Sequence, residues 1–87
     1  MVEKKIFLSK DCILETLDEE IIALNLNSGE YFELNKMGKE IILIIKTSSF
    51  SAMELIHHLK ERFNKDIEQE VLNFLEKLEK RGIIEIK

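Results

Sequence analysis

Few side chains here can do chemistry: His57, His58, Cys12, and the carboxylates Glu68, Glu76 and Glu79. His57 and His58 are adjacent in a helical stretch, so they point about 100° apart and cannot readily share a metal ion. Neither falls on the apolar stripe of that helix, and both read as solvated surface histidines. Cys12 is the lone cysteine, with no internal disulfide partner, which fits a reducing compartment. A reactive thiol needs a base or a helix N-terminus beside it. Cys12 sits in a strand-like run and reads as a plain apolar residue. The three glutamates have two readings, a solvated helix face or an acidic rim that attracts a basic peptide. The sequence has no Gly-rich phosphate loop, no cysteine pair and no His-x-x-His spacing. It reads as non-catalytic, with no metal and no cofactor.

Size and composition narrow the classes further. At 87 residues the chain is expected to form one domain over 1–87, and 45% apolar residues supply a modest core. The longest apolar run, Ile41–Ile45, is five residues, far short of the ~20 needed to span a membrane. Lys4 and Lys5 precede Ile6-Phe7-Leu8, but no long apolar region or small-residue cleavage site follows, so no signal peptide is read. A cytoplasmic monomer is expected. The formal charge is −4 and no dense Lys/Arg cluster exists, which argues against nucleic acid as the partner.

The elements that must position these residues fall in two groups. Cys12–Leu17, Ile21–Leu26 and Glu30–Leu34 read as strands, with a polar connection at Asp18-Glu19-Glu20. A tight turn is expected at Asn27-Ser28-Gly29, because Asn and Gly tolerate positive φ. Alternation places Phe32 and Leu34 on one face, Tyr31 and Glu33 on the other. Residues 1–10 either add a strand at Lys5–Leu8 or stay a mobile arm.

Three helices follow. Asn35 caps the first, which runs to about Lys46. Met37, Ile41, Ile44 and Ile45 form its stripe and Ile42 and Leu43 fill the other side, so it is expected to be buried on several sides. Gly38 in its first turn allows a close approach. Ser51 with Glu54 forms a capping-box pattern, and Asp66 with Gln69 repeats it. Polar breaks are expected at Thr47–Ser51 and Asn64–Asp66. The third helix has a core stripe of Ile67, Val71, Phe74, Leu75 and Leu78. Lys80 and Arg81 suit its C-terminal dipole, and Gly82 its C′ position. Ile83–Ile86 reads as a short strand or tail. The fold class is α+β, a winged helix-turn-helix-like arrangement with an N-terminal three-stranded antiparallel sheet followed by three helices.

Two features invite a binding role. An edge strand at Glu30–Leu34 would offer unpaired main-chain groups to a partner strand, although an outward Tyr31 on a short strand is ordinary. Leu72 lies off the centre of the third helix's stripe, beside Glu68, Leu75, Glu76 and Glu79. It is either the margin of a wide stripe or, with Leu75, the floor of a groove beside the sheet.

The run LNLNSGEYFELNKMGKEIILII resembles the signature region of the PqqD family, with turn glycine Gly29 and the Leu34-Asn35 pair. The resemblance spans roughly residues 11–86 and ends in a Leu-rich helix with an Arg81-Gly82-Ile83 step. Leu43 stands where many relatives have an aromatic, and Thr47–Phe50 replaces an Asp-Gly turn. The resemblance implies a recognition element for ribosomally made, modified peptides. Such a domain binds the leader segment of a precursor peptide and delivers it to a modifying enzyme, such as a leader peptidase or radical SAM protein. It implies a ladder along Glu30, Tyr31, Phe32, Glu33 and Leu34. It also implies an apolar pocket of Leu72 and Leu75, with Glu68, Glu76 and Glu79 meeting basic leader residues. The rival readings are a winged-helix DNA binder, which needs a basic recognition helix, and a protein-assembly domain.

Overall fold

The computed structural model describes residues 4–48, 50–63 and 66–87. Nine elements follow in order: β1 (Lys5–Leu8), β2 (Cys12–Leu17), β3 (Glu20–Asn25), β4 (Tyr31–Leu34), α1 (Lys36–Thr47), β5 (Phe50–Ser51), α2 (Ala52–Phe63), α3 (Glu68–Lys80) and β6 (Ile84–Ile86). Ser49 of the break expected at Thr47–Ser51, Asn64 and Lys65 of that at Asn64–Asp66, and the first three residues of the N-terminal arm lie outside the described residues.

The α+β arrangement is as expected. β2, β3 and β4 form an antiparallel sheet in that order, and three helices follow. The chain also builds a second sheet, ordered β5-β1-β6, from both ends of the sequence and a short mid-chain strand. Residues 5–8 are therefore a strand and not a loose arm. Lys5 and Lys87 exchange both main-chain hydrogen bonds, at 3.0 and 2.9 Å.

Local sequence explains each boundary. Leu17 pairs with Glu20, leaving the two-residue turn Asp18-Glu19, where Asp18 takes φ 57. Aspartate tolerates this left-handed conformation better than most residues. The Asn35 carboxamide oxygen accepts the Gly38 N–H at 2.8 Å, starting α1. A Cβ on Gly38 would stand 2.6 Å from the ring of Phe74, so the missing side chain is what lets α1 meet α3 there. At α2, Ser51 N–H donates to Glu54 at 2.9 Å and Glu54 N–H donates to the Ser51 hydroxyl at 3.2 Å. This is a reciprocal capping box.

Three local expectations are corrected. α1 buries Met37, Ile41, Ile42 and Ile45, but Leu43 is 48% exposed, so one side of this helix reaches water. The Asp66/Gln69 pattern makes no capping box. Asp66 accepts from Glu68 N–H at 3.4 Å, while Gln69 donates to Asn73 and α3 starts without a side-chain cap. Among the described residues, Gly29 is the member of the 27–29 turn with positive φ. The turn is organised from Asn25, whose carboxamide oxygen accepts the N–H groups of Asn27 (2.8 Å) and Ser28 (3.2 Å).

The core lies between the inner face of the β2–β4 sheet, the helices and the small sheet. Ile6, Ile41, Leu55, Val71, Leu78 and Ile83 are fully enclosed. Cys12 joins this core, and loss of water around its thiol pushes its pKa up.

Lys5 on β1 donates to Glu54 at the start of α2 across 2.7 Å. That ammonium, with the Ser51 N–H, holds the Glu54 carboxyl down to about 2 from 4.5. A carboxyl with a lowered native pKa stabilises the fold above its unfolded value and ceases to do so as pH falls through the native one. The stability gap between the wild type and Glu54→Gln is therefore expected to be constant near neutrality and to close between pH 4.5 and about 2. Urea unfolding at a series of pH values measures it. A gap independent of pH over that window would contradict the assignment.

Candidate functional site

β4 is an edge. Its sheet partner is β3, and the second sheet uses β1 and β6 elsewhere, so among the described residues neither chain end covers it. Antiparallel pairs alternate between hydrogen-bonded and non-hydrogen-bonded positions. Asn25 N–H donates to the Glu30 carbonyl at 2.8 Å, which sets the phase. In that phase Phe32 and Leu34 bond to Ala23 and Ile21, and the main-chain groups of Tyr31 and Glu33 point to the open side. Glu30 belongs to the hairpin closure: its carbonyl is taken by Asn25 and its N–H by the Ser28 hydroxyl at 3.2 Å. The five-residue ladder expected over 30–34 narrows to the outward groups of Tyr31 and Glu33.

Side chains follow the expected alternation. Leu34 is buried and Phe32 half-buried on the inner face, while Tyr31 is 63% exposed and Glu33 is exposed. The Phe32 ring meets Phe74 of α3 edge-on, with centroids 5.5 Å apart and planes at 81°. The Arg81 guanidinium lies over the same ring, 5.2 Å from its centre. Arg81 Nη1 also donates to the outward carbonyl of Tyr31 at 3.3 Å. The second wall of the β4 cleft is therefore the flank of α3 that carries Phe74 and Arg81. At about 100° per residue, Glu70 and Lys77 share that flank.

The residues expected to form that wall lie elsewhere on α3. Leu72 and Glu76 are each two residues from Phe74 and point about 160° away from it; Glu68 and Glu79 lie about 120–140° away. All four sit on the opposite flank of α3, across the buried stripe of Val71, Leu75 and Leu78. Leu75 is 3% exposed and belongs to the core, not to an accessible pocket. Phe74 and Arg81 were missed as site residues because each had a sufficient structural explanation, as core stripe and as dipole partner. The signal that links them is their seven-residue spacing, two turns on one face.

What holds Arg81 at β4 is the C-terminus of α3. Gly82 N–H donates to Glu79 O at 3.0 Å and Ile83 N–H to Leu78 O at 2.9 Å, a Schellman ending with Gly82 at φ 72. The Asn25 amide nitrogen donates to the carbonyls of Arg81 (3.3 Å) and Gly82 (3.0 Å). The same carboxamide thus closes the β3–β4 turn and anchors the end of α3 beside it.

The histidines stand elsewhere. His57 lies 4.0 Å from Glu61 in solvent, and the ring of His58 meets Phe50. Among the described residues no three His, Cys, Asp or Glu side chains converge as for a metal ion, and no helix is long and apolar enough to cross a membrane.

A family model described as Coenzyme PQQ synthesis protein D (PqqD) matches residues 20–84, the span that contains β4, α1 and the whole of α3. The chain belongs to the PqqD family. Among solved structures, "TbiB1 in Complex with the TbiA(beta) Leader Peptide" is similar, with TM-score 0.80 and 22% identity. The match covers 91% of this chain and 94% of that one, and at this identity it speaks for the fold. No curated protein sequence matches the chain. The PqqD match runs from Glu20 to Ile84, so β1, β2 and most of β6 lie outside it, while the β4 cleft lies wholly inside.

The Asn25 junction makes a testable coupling. A Cβ at Gly82 would strike the Asn25 amide, besides straining the left-handed backbone. Asn25→Ala is expected to cost about 2 kcal/mol through four lost hydrogen bonds, and Gly82→Ala about 1–2 kcal/mol. Because the Asn25 amide is part of the Gly82→Ala penalty, the double variant should be more stable than the sum predicts. Strict additivity in urea unfolding would show that the two residues do not communicate.

Proposed function

We propose that this PqqD-family chain is a non-catalytic adaptor for the leader segment of a ribosomally made precursor peptide. The leader adds as a strand to β4, and the complex presents the remainder of the peptide to a modifying enzyme such as a leader peptidase, cyclase or radical SAM protein. The observation that carries this reading is the uncovered edge of β4, with the Tyr31 and Glu33 main-chain groups directed outward beside the Phe74–Arg81 flank. Family membership and the likeness to a protein solved with a leader peptide support it.

The mechanism is strand addition. Two outward residues offer two donors and two acceptors, each worth about 1 kcal/mol net. Specificity then comes from alternate side chains of the added strand that rest on Phe32, Phe74 and the Arg81 guanidinium. A carbonyl oxygen has two lone pairs, so Tyr31 can accept a peptide N–H while Arg81 stays bonded. A disordered leader loses conformational freedom on binding, which keeps the affinity moderate and the exchange reversible. Holding the leader raises the effective concentration of the attached core peptide at the enzyme.

A DNA-reading role fits less well. α3, the helix that would enter the major groove, carries four glutamates against two lysines.

A proline at position 33 tests strand addition cleanly. Glu33 does not bond to β3, so Glu33→Pro spares the β3–β4 ladder while removing the outward donor. Titration with a labelled leader of the cognate precursor should show at least about tenfold weaker binding by Glu33→Pro. Glu33→Ala should stay within about threefold, because a side chain is lost but no main-chain group. Wild-type affinity in a folded Glu33→Pro variant would sink the strand-addition reading. In the same assay Arg81→Ala is expected to weaken binding about three- to tenfold, and Leu72→Asp to leave it unchanged, since only Arg81 flanks β4.

A further inference from the structure

The outer face of the β2–β4 sheet is a feature that the β4 cleft does not use. Strand register aligns Ile13, Leu24 and Tyr31 in one row across all three strands. The next row is Glu15, Ile22 and Glu33, and Leu17 stands opposite Glu20 beyond it. Leu14, Ile21 and Phe32 point the other way and pack against the core. Ile13 is 38% exposed, Leu17 55% and Tyr31 63%. An apolar row on a solvent-facing sheet is unusual enough to mark a contact surface.

Its charge is one-sided. Residues 11–35 hold seven carboxylates (Asp11, Glu15, Asp18, Glu19, Glu20, Glu30 and Glu33) and no lysine or arginine. The rest of the chain, by difference from the total of −4, carries a formal +3. Glu15, Glu20 and Glu33 lie on the outer face itself and frame the apolar row. Two copies placed face to face would bring these carboxylates against each other, so the face rejects self-association. Nucleic acid and anionic membranes are rejected by the same charge.

We propose that this face docks a globular protein with an apolar centre rimmed by lysine and arginine, and that this protein is the peptide-modifying enzyme. The identity of the enzyme rests on the adaptor reading above; the chemistry of its surface rests on this face alone. Apolar contact at Ile13, Leu24 and Leu17 supplies the affinity. The carboxylate frame steers encounter with the basic rim and fixes orientation. The leader enters at the β4 edge and the enzyme covers the face at right angles to it, so the two can be held at once.

The test immobilises the full chain and measures binding of a purified peptide-modifying enzyme from the same pathway, with and without leader peptide. Ile13→Lys and Leu17→Lys are each expected to weaken the enzyme at least about tenfold. Both leave leader affinity within about twofold, which also reports that the variants are folded. Glu15→Lys should weaken binding and flatten its dependence on salt between about 50 and 300 mM. Leu17→Ser serves as the milder variant should either lysine unfold the sheet. Wild-type enzyme affinity in these variants overturns the proposal, as does absence of enzyme binding by the wild type under both conditions. A wild-type dimer that Ile13→Lys dissociates would overturn it in favour of self-association. Loss of leader binding by the wild type, with enzyme binding intact and sensitive to Ile13→Lys, would fail the adaptor reading and keep the docking face.

Discussion

The Asn25 carboxamide is the constraint on which the site geometry depends. Its oxygen gathers the N–H groups of Asn27 and Ser28, and its nitrogen bonds the carbonyls of Arg81 and Gly82. It is 8% exposed, and its amide group satisfies four main-chain groups separated by more than fifty residues of chain. Hydrogen bonding inside a low-dielectric setting is strong when complete and costly when broken. One side chain therefore sets both where β4 begins and where α3 ends. Gly82 is part of the same device, since only a residue without Cβ both adopts φ 72 and leaves room for the Asn25 amide.

From that junction the cleft follows. Arg81 sits at the C-cap of α3, directly before the anchored glycine, so its guanidinium has a fixed origin. It reaches the Tyr31 carbonyl and the Phe32 ring at once. Gly38 completes the cleft from the other end by letting Phe74 press against α1 while its ring packs edge-to-face with Phe32. A short strand, two aromatics and one arginine thus form a pre-ordered bed. Pre-ordering matters for a flexible ligand, because the binder then loses little entropy of its own.

The sequence displayed the elements better than their mutual facing. β2, the capped α1, the Ser51/Glu54 box and the Gly82 ending were legible because each rests on residues close in the chain. The small β5-β1-β6 sheet was only half legible: its strands are short and lie far apart in the sequence. The flank of α3 that faces β4 is illegible for a related reason. Leu72 is exposed and apolar, but only tertiary contacts reveal that Phe74 is the residue turned to β4. Asn25 was hidden inside a strand pattern, where its amide appeared to be one more polar position. The capping pattern at Asp66/Gln69 misled because Gln69 has a competing partner in Asn73, one turn along.

The central claim is that β4 is a strand with an unused side. Amide hydrogen exchange, read residue by residue by NMR in the free protein and with leader peptide added, addresses it most directly. In the free protein the Phe32 and Leu34 amides should be protected by β3, and those of Tyr31 and Glu33 should exchange fast. Added leader should slow Tyr31 and Glu33 selectively. Protection of those two amides in the free protein, or fast exchange persisting when the peptide is bound, would contradict the account.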